Sequence, residues 1–474
     1  MRPMNVLILC SDEHARRALG CYGHPIVQTP TLDRLAGAGT RFSRAYTPSP
    51  ICVPARASLA TGTQVHENRC WSSSEPFHGQ HESWMSRLAD AGHACVSIGK
   101  LHFRAAADDN GFTEEIMPMH LANDGKGWPQ GLVRDPLPDF DGVAEMARDA
   151  GRGESSYTAY DRDITAAACR WLGRHGGSVT DKPWALFVSF VSPHYPLTAP
   201  GEFFDLYAGA AMPDTVGGIP DHPVLAEMRK FWDYEGHFDA HSRDLAKRGY
   251  FGLCSFLDDN IRQVLTALED SGAASDTLVL YISDHGEMLG NHGFWAKSVM
   301  YEDSVAVPLI MSGPGVPAGL NQTPVSLTDI AATVETAVGL AAPTATAPWQ
   351  GRPLQSFVNA PEPERPVLSQ YHDGGSPTGL FMIRQGDWKY VYYAGGHAPQ
   401  LFDLAGDADE RVDLGRSADH TSVREALHGV LTGILDPEDV NASAFADQAK
   451  LLEQMGGRDA VLAMPSFNHT PVGS

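Results

Sequence analysis

The sequence predicts an α/β fold, a doubly wound and mainly parallel sheet followed by a small antiparallel sheet. Three observations carry this. Short continuous apolar runs of strand length end in polar or glycine residues, helical patterns lie between them, and after Pro361 the pattern changes to short alternating runs separated by Gly-Asp and Gly-Gly turns. The first run, residues 5–10, is continuously apolar from Val6 on, as suits a strand buried on both faces, and it delivers Ser11-Asp12-Glu13 at its carboxyl end. Comparable runs follow at 94–98, 185–191, 277–282 and 308–311, with helical patterns at 31–38, 164–171, 251–268 and 328–340. In such sheets the ligand crevice lies beyond the carboxyl ends of the strands, so the residues just after the runs are where chemistry is expected. Residues 105–160, rich in Gly, Asp and Pro with weak periodicity, read as an insertion able to lid the site. The runs at 380–383, 388–393 and 400–404 form the small sheet. The expected division is a catalytic part, 1–360, a small α+β part, 361–440, and a tail, 441–474.

Size and charge bound the function. A chain of 474 residues can bury a large core in two or three units, or in one large unit with an appendage. Against 58 acidic residues there are 35 basic ones, and the net charge of −23 argues against a nucleic-acid groove and against an anionic membrane surface. An anionic substrate therefore needs a local basic cluster inside an acidic shell. The apolar stretch at 6–10 is too short for a signal-peptide core or a membrane span, which predicts a cytoplasmic protein. Seven scattered cysteines without a Cys-x-x-Cys pair indicate neither a disulfide framework nor a zinc site.

The stretch Cys52-Val53-Pro54-Ala55-Arg56-Ala57-Ser58-Leu59-Ala60-Thr61-Gly62 is the most informative. Pro54 suits the first turn of a helix, residues 57–61 continue it and Gly62 ends it, so residue 52 sits at a helix N-terminus, where backbone donors and the dipole favour an anion. Asp12 follows the first strand, and Asp284-His285 follows the run at 277–282. Two carboxylates converging on one crevice repel unless a cation lies between them. Oxygen ligands favour Ca²⁺ or Mg²⁺, and an imidazole in the set also admits Mn²⁺.

Cys-x-Pro-x-Arg followed by Leu-x-Thr-Gly resembles the signal that converts a cysteine to formylglycine. Gly99-Lys100-Leu101-His102, Ser192-Pro193-His194-Tyr195-Pro196 and Lys297 match further motifs in order. On these residues the chain resembles the type I, formylglycine-dependent sulfatases of the alkaline phosphatase superfamily, and it is also similar to phosphonate monoester hydrolases. The resemblance implies an alkaline-phosphatase-like fold, a sulfate monoester of a small alcohol, phenol or sugar as substrate, and a formylglycine-generating enzyme as partner during maturation. It implies a divalent metal, Ca²⁺ before Mn²⁺ or Mg²⁺, at Asp12, Asp284, His285 and residue 52. Where the family often has a second aspartate ligand this chain has Glu13. Arg56 and Lys100 would hold the formylglycine diol and the sulfate oxygens. His194 and Lys297 would bind sulfate and protonate the departing alkoxide, and His102 would take the proton when the covalent intermediate collapses. His292 is a further substrate candidate.

Two other readings share these residues: a phosphonate monoester or phosphodiester hydrolase on the same fold, and an inactive relative that only holds an anion. Lys100 and His102 favour the sulfatase, because a sulfate monoester needs the fuller cationic cluster. Trp71, Phe77, His78, His81, Trp84, Trp128 and Phe294 are candidates for the pocket wall. The tail from Ala444, an amphipathic helix ending in Phe467-Asn468-His469-Thr470-Pro471, is expected to pack across a neighbouring subunit of a homodimer or homotetramer.

Overall fold

The computed structural model describes residues 2–177, 182–341, 350–465 and 469–472. Strand β1 (Asn5–Asp12) lies inside an eight-stranded sheet. The others, in chain order, are β2 (Thr40–Phe42), β3 (Cys95–Lys100), β4 (Glu114–Met119), β5 (Ala185–Pro193), β6 (Thr277–Ser283), β7 (Leu309–Ser312) and β8 (Gly319–Asn321). Across the sheet the order is β8-β2-β7-β6-β1-β5-β3-β4. β1 runs parallel to β5 and β6, and β3 runs parallel to β5 and β4, so these strands end on the same edge. β7 is antiparallel to both its neighbours.

Five helices frame the site: α1 (Pro30–Ala38), α2 (Cys52–Thr61), α3 (Ser156–Trp171), α4 (Ala240–Asp270) and α5 (Asp329–Val338). The alternation of β1 divides them. Val6, Ile8 and Cys10 pack on one face with Ala57 and Leu59 of α2 and Ile330 and Val334 of α5. Leu7 and Leu9 pack on the other with Leu32 and Leu35 of α1, Ile164 of α3 and Leu257 and Ile261 of α4. A strand covered on both faces must be apolar at every position, which is why the run at 5–10 is continuous.

The helices at 164–171 and 251–268 begin earlier than their apolar periodicity shows. α3 starts at Ser156 behind Ser155, whose side chain accepts from the Thr158 N–H, and α4 starts at Ala240 behind Asp239, which accepts from Ser242. The first turn of α4 is polar and capped rather than packed, whereas that of α3 mixes capping hydroxyls with the buried Tyr157. The segment 105–160 also differs from a plain insertion, because Glu114–Met119 within it is the edge strand β4, parallel to β3. Only Met119 of that strand is fully buried, so no apolar run marked it.

The second sheet joins β9 (Val367–Tyr371), β10 (Leu380–Gln385), β11 (Trp388–Tyr393) and β12 (Gln400–Asp403) in sequence order, each antiparallel to the next. Phe381, Ile383 and Leu401 pack against Leu427 and Leu431 of α6 (Thr421–Ile434). The opposite face sends Leu380, Met382 and Val391 into the body of the molecule. There the buried Lys389 ammonium meets Glu302 at 3.3 Å and Glu410 at 2.7 Å, and Glu302 also takes Arg16 at 2.9 Å.

The tail does not extend away. α7 (Pro437–Gln454) and α8 (Arg458–Leu462) lead it back over residues 121–146, where Gln130 Nε2 donates to the Met464 carbonyl at 2.8 Å and Arg458 Nη2 to that of Pro136 at 3.0 Å. These two hydrogen bonds hold it against its own chain, and Phe467 and Asn468 of its expected end lie outside the described residues. Among the described residues no helix is long and apolar enough to cross a membrane.

Candidate active site

Cys52 is the first residue of α2, and Ile51 before it is extended. Gly62 closes the helix at φ 70°, in the left-handed region, with its N–H donating to the Ser58 carbonyl. A Cβ there would lie 2.9 Å from that of Ala331 on α5, so conformation and packing both call for glycine. α2 thus sits tight against α5 and aims its N-terminus at the ends of β1 and β6.

Asp12 ends β1, and Asp284 and His285 follow β6. Asp12, Cys52, Asp284 and His285 are all buried, and one ligand atom from each lies within 4.8 Å of the others. Cys52 Sγ is 3.0 Å from His285 Nε2 and 3.5 Å from Asp12 Oδ1. His285 Nδ1 lies 3.0 Å from the Gly286 carbonyl and donates to it, which leaves Nε2 unprotonated towards the cluster.

Arg56, one turn beyond Cys52, is fully committed. Its Nε donates to Asp284 Oδ2 at 2.8 Å and Nη2 to Asp12 Oδ2 at 3.2 Å, while Nη1 donates to the Lys100 carbonyl at 2.8 Å and Ser189 Oγ at 3.0 Å. The guanidinium therefore orients the two carboxylates instead of gripping residue 52. Lys100 Nζ sits 2.5 Å from Asp12 Oδ2. Burial would raise the Asp12 carboxyl, but Lys100 first, then His194 and Arg56, hold it well below the usual carboxylate range. Burial, followed by Asp12, pushes the Cys52 thiol well above its ordinary value. An unmodified thiol here stays protonated and is a poor nucleophile.

Glu13 takes a different place from the metal-ligand position offered by the resemblance. Its backbone is left-handed, φ 65°, and its Oε2 accepts from Lys297 Nζ at 2.7 Å and lies 3.2 Å from His194 Nε2. With Asp12 and His194 it forms a second group of candidate metal-ligand atoms within 4.8 Å of one another, beside the four around Cys52. Burial pushes the Glu13 carboxyl up to about 8 and on its own would lower the Lys297 ammonium, but the direct 2.7 Å contact favours the ion pair, so Glu13 outweighs burial and keeps the proton on Lys297. His194 Nδ1 donates to the Tyr195 carbonyl at 2.6 Å, so Nε2 is the acceptor for Lys297 Nζ at 2.9 Å. Burial, then Lys297, holds His194 well below the ordinary imidazole range, and burial, then Lys100, does the same for His102. Both rings are neutral at pH 7.

One pocket unites Cys52, Lys100, His102, His194 and Lys297. His292 lies outside it. Its ring stacks on Tyr301 at 3.9 Å and its Nε2 meets the Asp409 carbonyl at 3.1 Å, so it joins loops of the body away from that pocket. Of the aromatic and imidazole candidates only Trp128 lines the pocket. Phe77, Trp84 and Phe294 are core residues, Trp71 donates to Asp447, and His78 and His81 bond backbone carbonyls. The rest of the wall was not singled out from sequence: Phe140, Tyr157, Tyr195, Trp232, Tyr234, His469 and Thr470. Tyr195 stood within a recognised motif, whereas Phe140, Trp232 and Tyr234 come from segments with no local signal.

A strand-end cluster of carboxylates, cations and a helix-borne residue 52, set in this sheet order, defines an alkaline-phosphatase-like hydrolase of esters of tetrahedral oxyanions. The family profile described as Sulfatase matches residues 4–340, and one described as N-sulphoglucosamine sulphohydrolase, C-terminal, matches residues 290–436. The chain belongs to the sulfatase family and is a sulfuric ester hydrolase. It is 32% identical to a choline-sulfatase of Rhizobium meliloti over 86% of this chain and 82% of that one, and 29% identical to arylsulfatase K of Danio rerio over 93% and 85%. In fold it is similar to a protein solved with its substrate D-glucosamine-2-N,6-O-disulfate, with TM-score 0.73, 20% identity and coverage of 94% and 99%. It is similar as well to the phosphonate monoester hydrolase of Agrobacterium radiobacter, with TM-score 0.72, 23% identity and coverage of 94% and 96%.

Proposed function

We propose that this sulfatase cleaves the sulfate monoester of a compact, weakly polar alcohol or phenol, using a formylglycine made from Cys52 and a divalent metal held by Asp12, Asp284 and His285. The observation that carries the reading is the placement of residue 52: buried, at a helix N-terminus, against Asp12 and His285, and in one pocket with Lys100, His102, His194 and Lys297. Two carboxylates and one imidazole nitrogen facing a common point fit Ca²⁺, Mn²⁺ or Mg²⁺. A metal bound there would acidify a hydroxyl on residue 52 and offset charge on the ester oxygens. Arg56 keeps the two carboxylates turned to that point. Lys100 and Lys297 present ammonium groups to the sulfate oxygens. Lys297 Nζ, charged and 2.9 Å from His194 Nε2, supplies the proton for the departing oxygen with His194 as its relay. His102, neutral and buried, accepts the proton lost from residue 52.

The pocket wall supports the leaving-group class. Trp128, Phe140, Trp232 and Tyr234 form one aromatic cluster, with ring centroids 5.1–6.2 Å apart along Phe140–Trp232, Trp128–Phe140, Trp128–Trp232 and Trp232–Tyr234. No Asp, Glu or Arg is among the described residues lining the pocket. Against this cluster an aryl, short alkyl or quaternary ammonium group buries well, and no buried carboxylate or guanidinium is offered to the hydroxyls of a polyhydroxylated sugar. Unpaired cysteines, most of them buried, agree with a cytoplasmic enzyme.

The test is a steady-state comparison of protein co-expressed with a formylglycine-generating enzyme, stripped of metal and resupplied with Ca²⁺ or Mn²⁺, on an aryl sulfate and the matching aryl phenylphosphonate. A higher kcat/KM for the sulfate, lost on stripping and restored by metal, is the expected result. Preference for the phosphonate would make the chain a phosphonate monoester hydrolase working through the same residues, as the fold likeness to that class allows.

A further inference from the structure

The C-terminal segment enters the pocket of its own chain. Thr470 Oγ1 lies 3.0 Å from His102 Nε2, and this is the one polar contact of the His102 ring among the described residues, since Nδ1 is buried without a partner. The backbone on both sides of this contact is held. His102 has φ 54°, a left-handed conformation for a side-chain-bearing residue, and its N–H donates to the Met119 carbonyl at 2.9 Å. Tyr157 Oη donates to the Thr470 carbonyl at 2.7 Å, and the His469 ring stands edge-on to Tyr157 at 5.1 Å and to Tyr195 at 6.3 Å. Upstream the segment is pinned by the Gln130 and Arg458 hydrogen bonds. With the backbone of His102 fixed, only its ring orientation and tautomer remain to be set: the hydrogen bond to Thr470 fixes the orientation, and the tautomer follows because a hydroxyl can accept as well as donate, whereas a buried Nδ1–H without an acceptor would go unsatisfied.

We propose that Thr470 is a positioning residue for His102, its hydroxyl accepting the Nε2–H and so leaving the free lone pair on Nδ1, the ring nitrogen that no other described residue engages. This rests on the reading of His102 as the group that accepts the proton from residue 52. The proton count closes: the neutral ring carries its hydrogen on Nε2, takes the incoming proton on Nδ1, and as imidazolium keeps the bond to Thr470. The segment thereby works on the pocket wall from outside the metal cluster, and its threonine acts on the reaction through His102. Other residues that hold the segment, such as Tyr157, act through Thr470.

Two measurements on the full-length, matured protein test this. In kinetics on the aryl sulfate, Thr470→Val is expected to lower kcat by more than about 10-fold with KM within about twofold, and Thr470→Ser to restore kcat. Equal melting temperature and equal conversion of Cys52 in the variants separate this from misfolding or failed maturation. A Val variant with wild-type kcat, a change confined to KM, or a loss that Ser does not restore overturns the proposal. The second readout needs no turnover. In ¹⁵N NMR of histidine-labelled protein, the signals absent from His102→Gln are expected to report the Nε2–H tautomer in the wild type and a mixture in Thr470→Val. A wild-type Nδ1–H tautomer, or tautomers that ignore residue 470, overturns it. If the wild type shows the Nε2–H form and yet turns over no sulfate ester, the functional reading fails while the positioning stands.

Discussion

Asp161 shows how one side chain outside the pocket governs a residue inside it. It sits on α3, fully buried, and accepts the N–H groups of Val191 and Ser192 at 2.8 Å each, so it fixes the turn that carries His194. Burial raises its carboxyl from the ordinary 3.8 to about 6, against the hydrogen bonds from Ser192 and Val191 that lower it. The folded state therefore keeps a proton between pH 4 and 6 that the unfolded chain has lost, and stability falls as pH rises through that window. Asp161→Asn is expected to flatten this slope in denaturant melts run from pH 4 to 7. It should also cost about 1–3 kcal/mol, since one backbone donor loses its acceptor, and it should lower kcat through His194. At this scale the sequence was readable where a motif names its residue: Cys52, Lys100, His102, His194, Lys297, Asp284 and His285 converge. It misled at His292, because Gly-Asn-His-Gly carries no mark to distinguish a ring stacked on Tyr301 from one facing a ligand.

Among the elements, α2 places two functions one turn apart. Its N-terminus presents residue 52, and its next turn carries the Arg56 fork that spans Asp12 and Asp284. A lysine at 56 keeps the charge but has no planar fork and cannot bridge both carboxylates. Arg56→Lys is therefore expected to lower metal affinity and kcat/KM by about 10–100-fold, measured by metal titration and by turnover at saturating metal. The helix was legible because Pro54 and Gly62 mark its ends. The five strands read from apolar runs were legible for the opposite reason, that each is buried on both faces and so is dominated by apolar residues with only small or terminal polar ones among them. Edge strand β4, Glu-Glu-Ile-Met-Pro-Met, is half in water and was read as part of an insertion.

For the whole molecule, a net charge of −23 surrounds a pocket whose buried ammonium groups are already paired, Lys100 with Asp12 and Lys297 with Glu13. The far field therefore repels an anionic ester, and the attraction acts only after entry. Raising ionic strength from about 0.01 M to 0.15 M shortens the screening length from about 30 to 8 Å. The expected outcome is a rise in kcat/KM for a monoanionic aryl sulfate, the reverse of a steered enzyme, and a flat profile for a zwitterionic ammonium sulfate ester. A fall with salt for the aryl sulfate would place net positive potential at the pocket mouth. Closure of the pocket by Phe140, Trp232, Tyr234 and Thr470 is also a property of this scale. It joins segments hundreds of residues apart, and no local periodicity records it.

All ten residues of α2 are buried, and Cys52 itself is only 5% exposed, walled in by strands that complete their pairing only when β6 is in place. On the proposed conversion of Cys52 to formylglycine, a catalyst that oxidises this side chain would have to reach it before that wall forms. The fraction of active molecules would then be a branching ratio between two clocks, enzymatic capture of a nascent segment and collapse of the sheet around it. Any change that hastens folding, however stabilising, would lower the yield of competent enzyme unless capture were hastened with it.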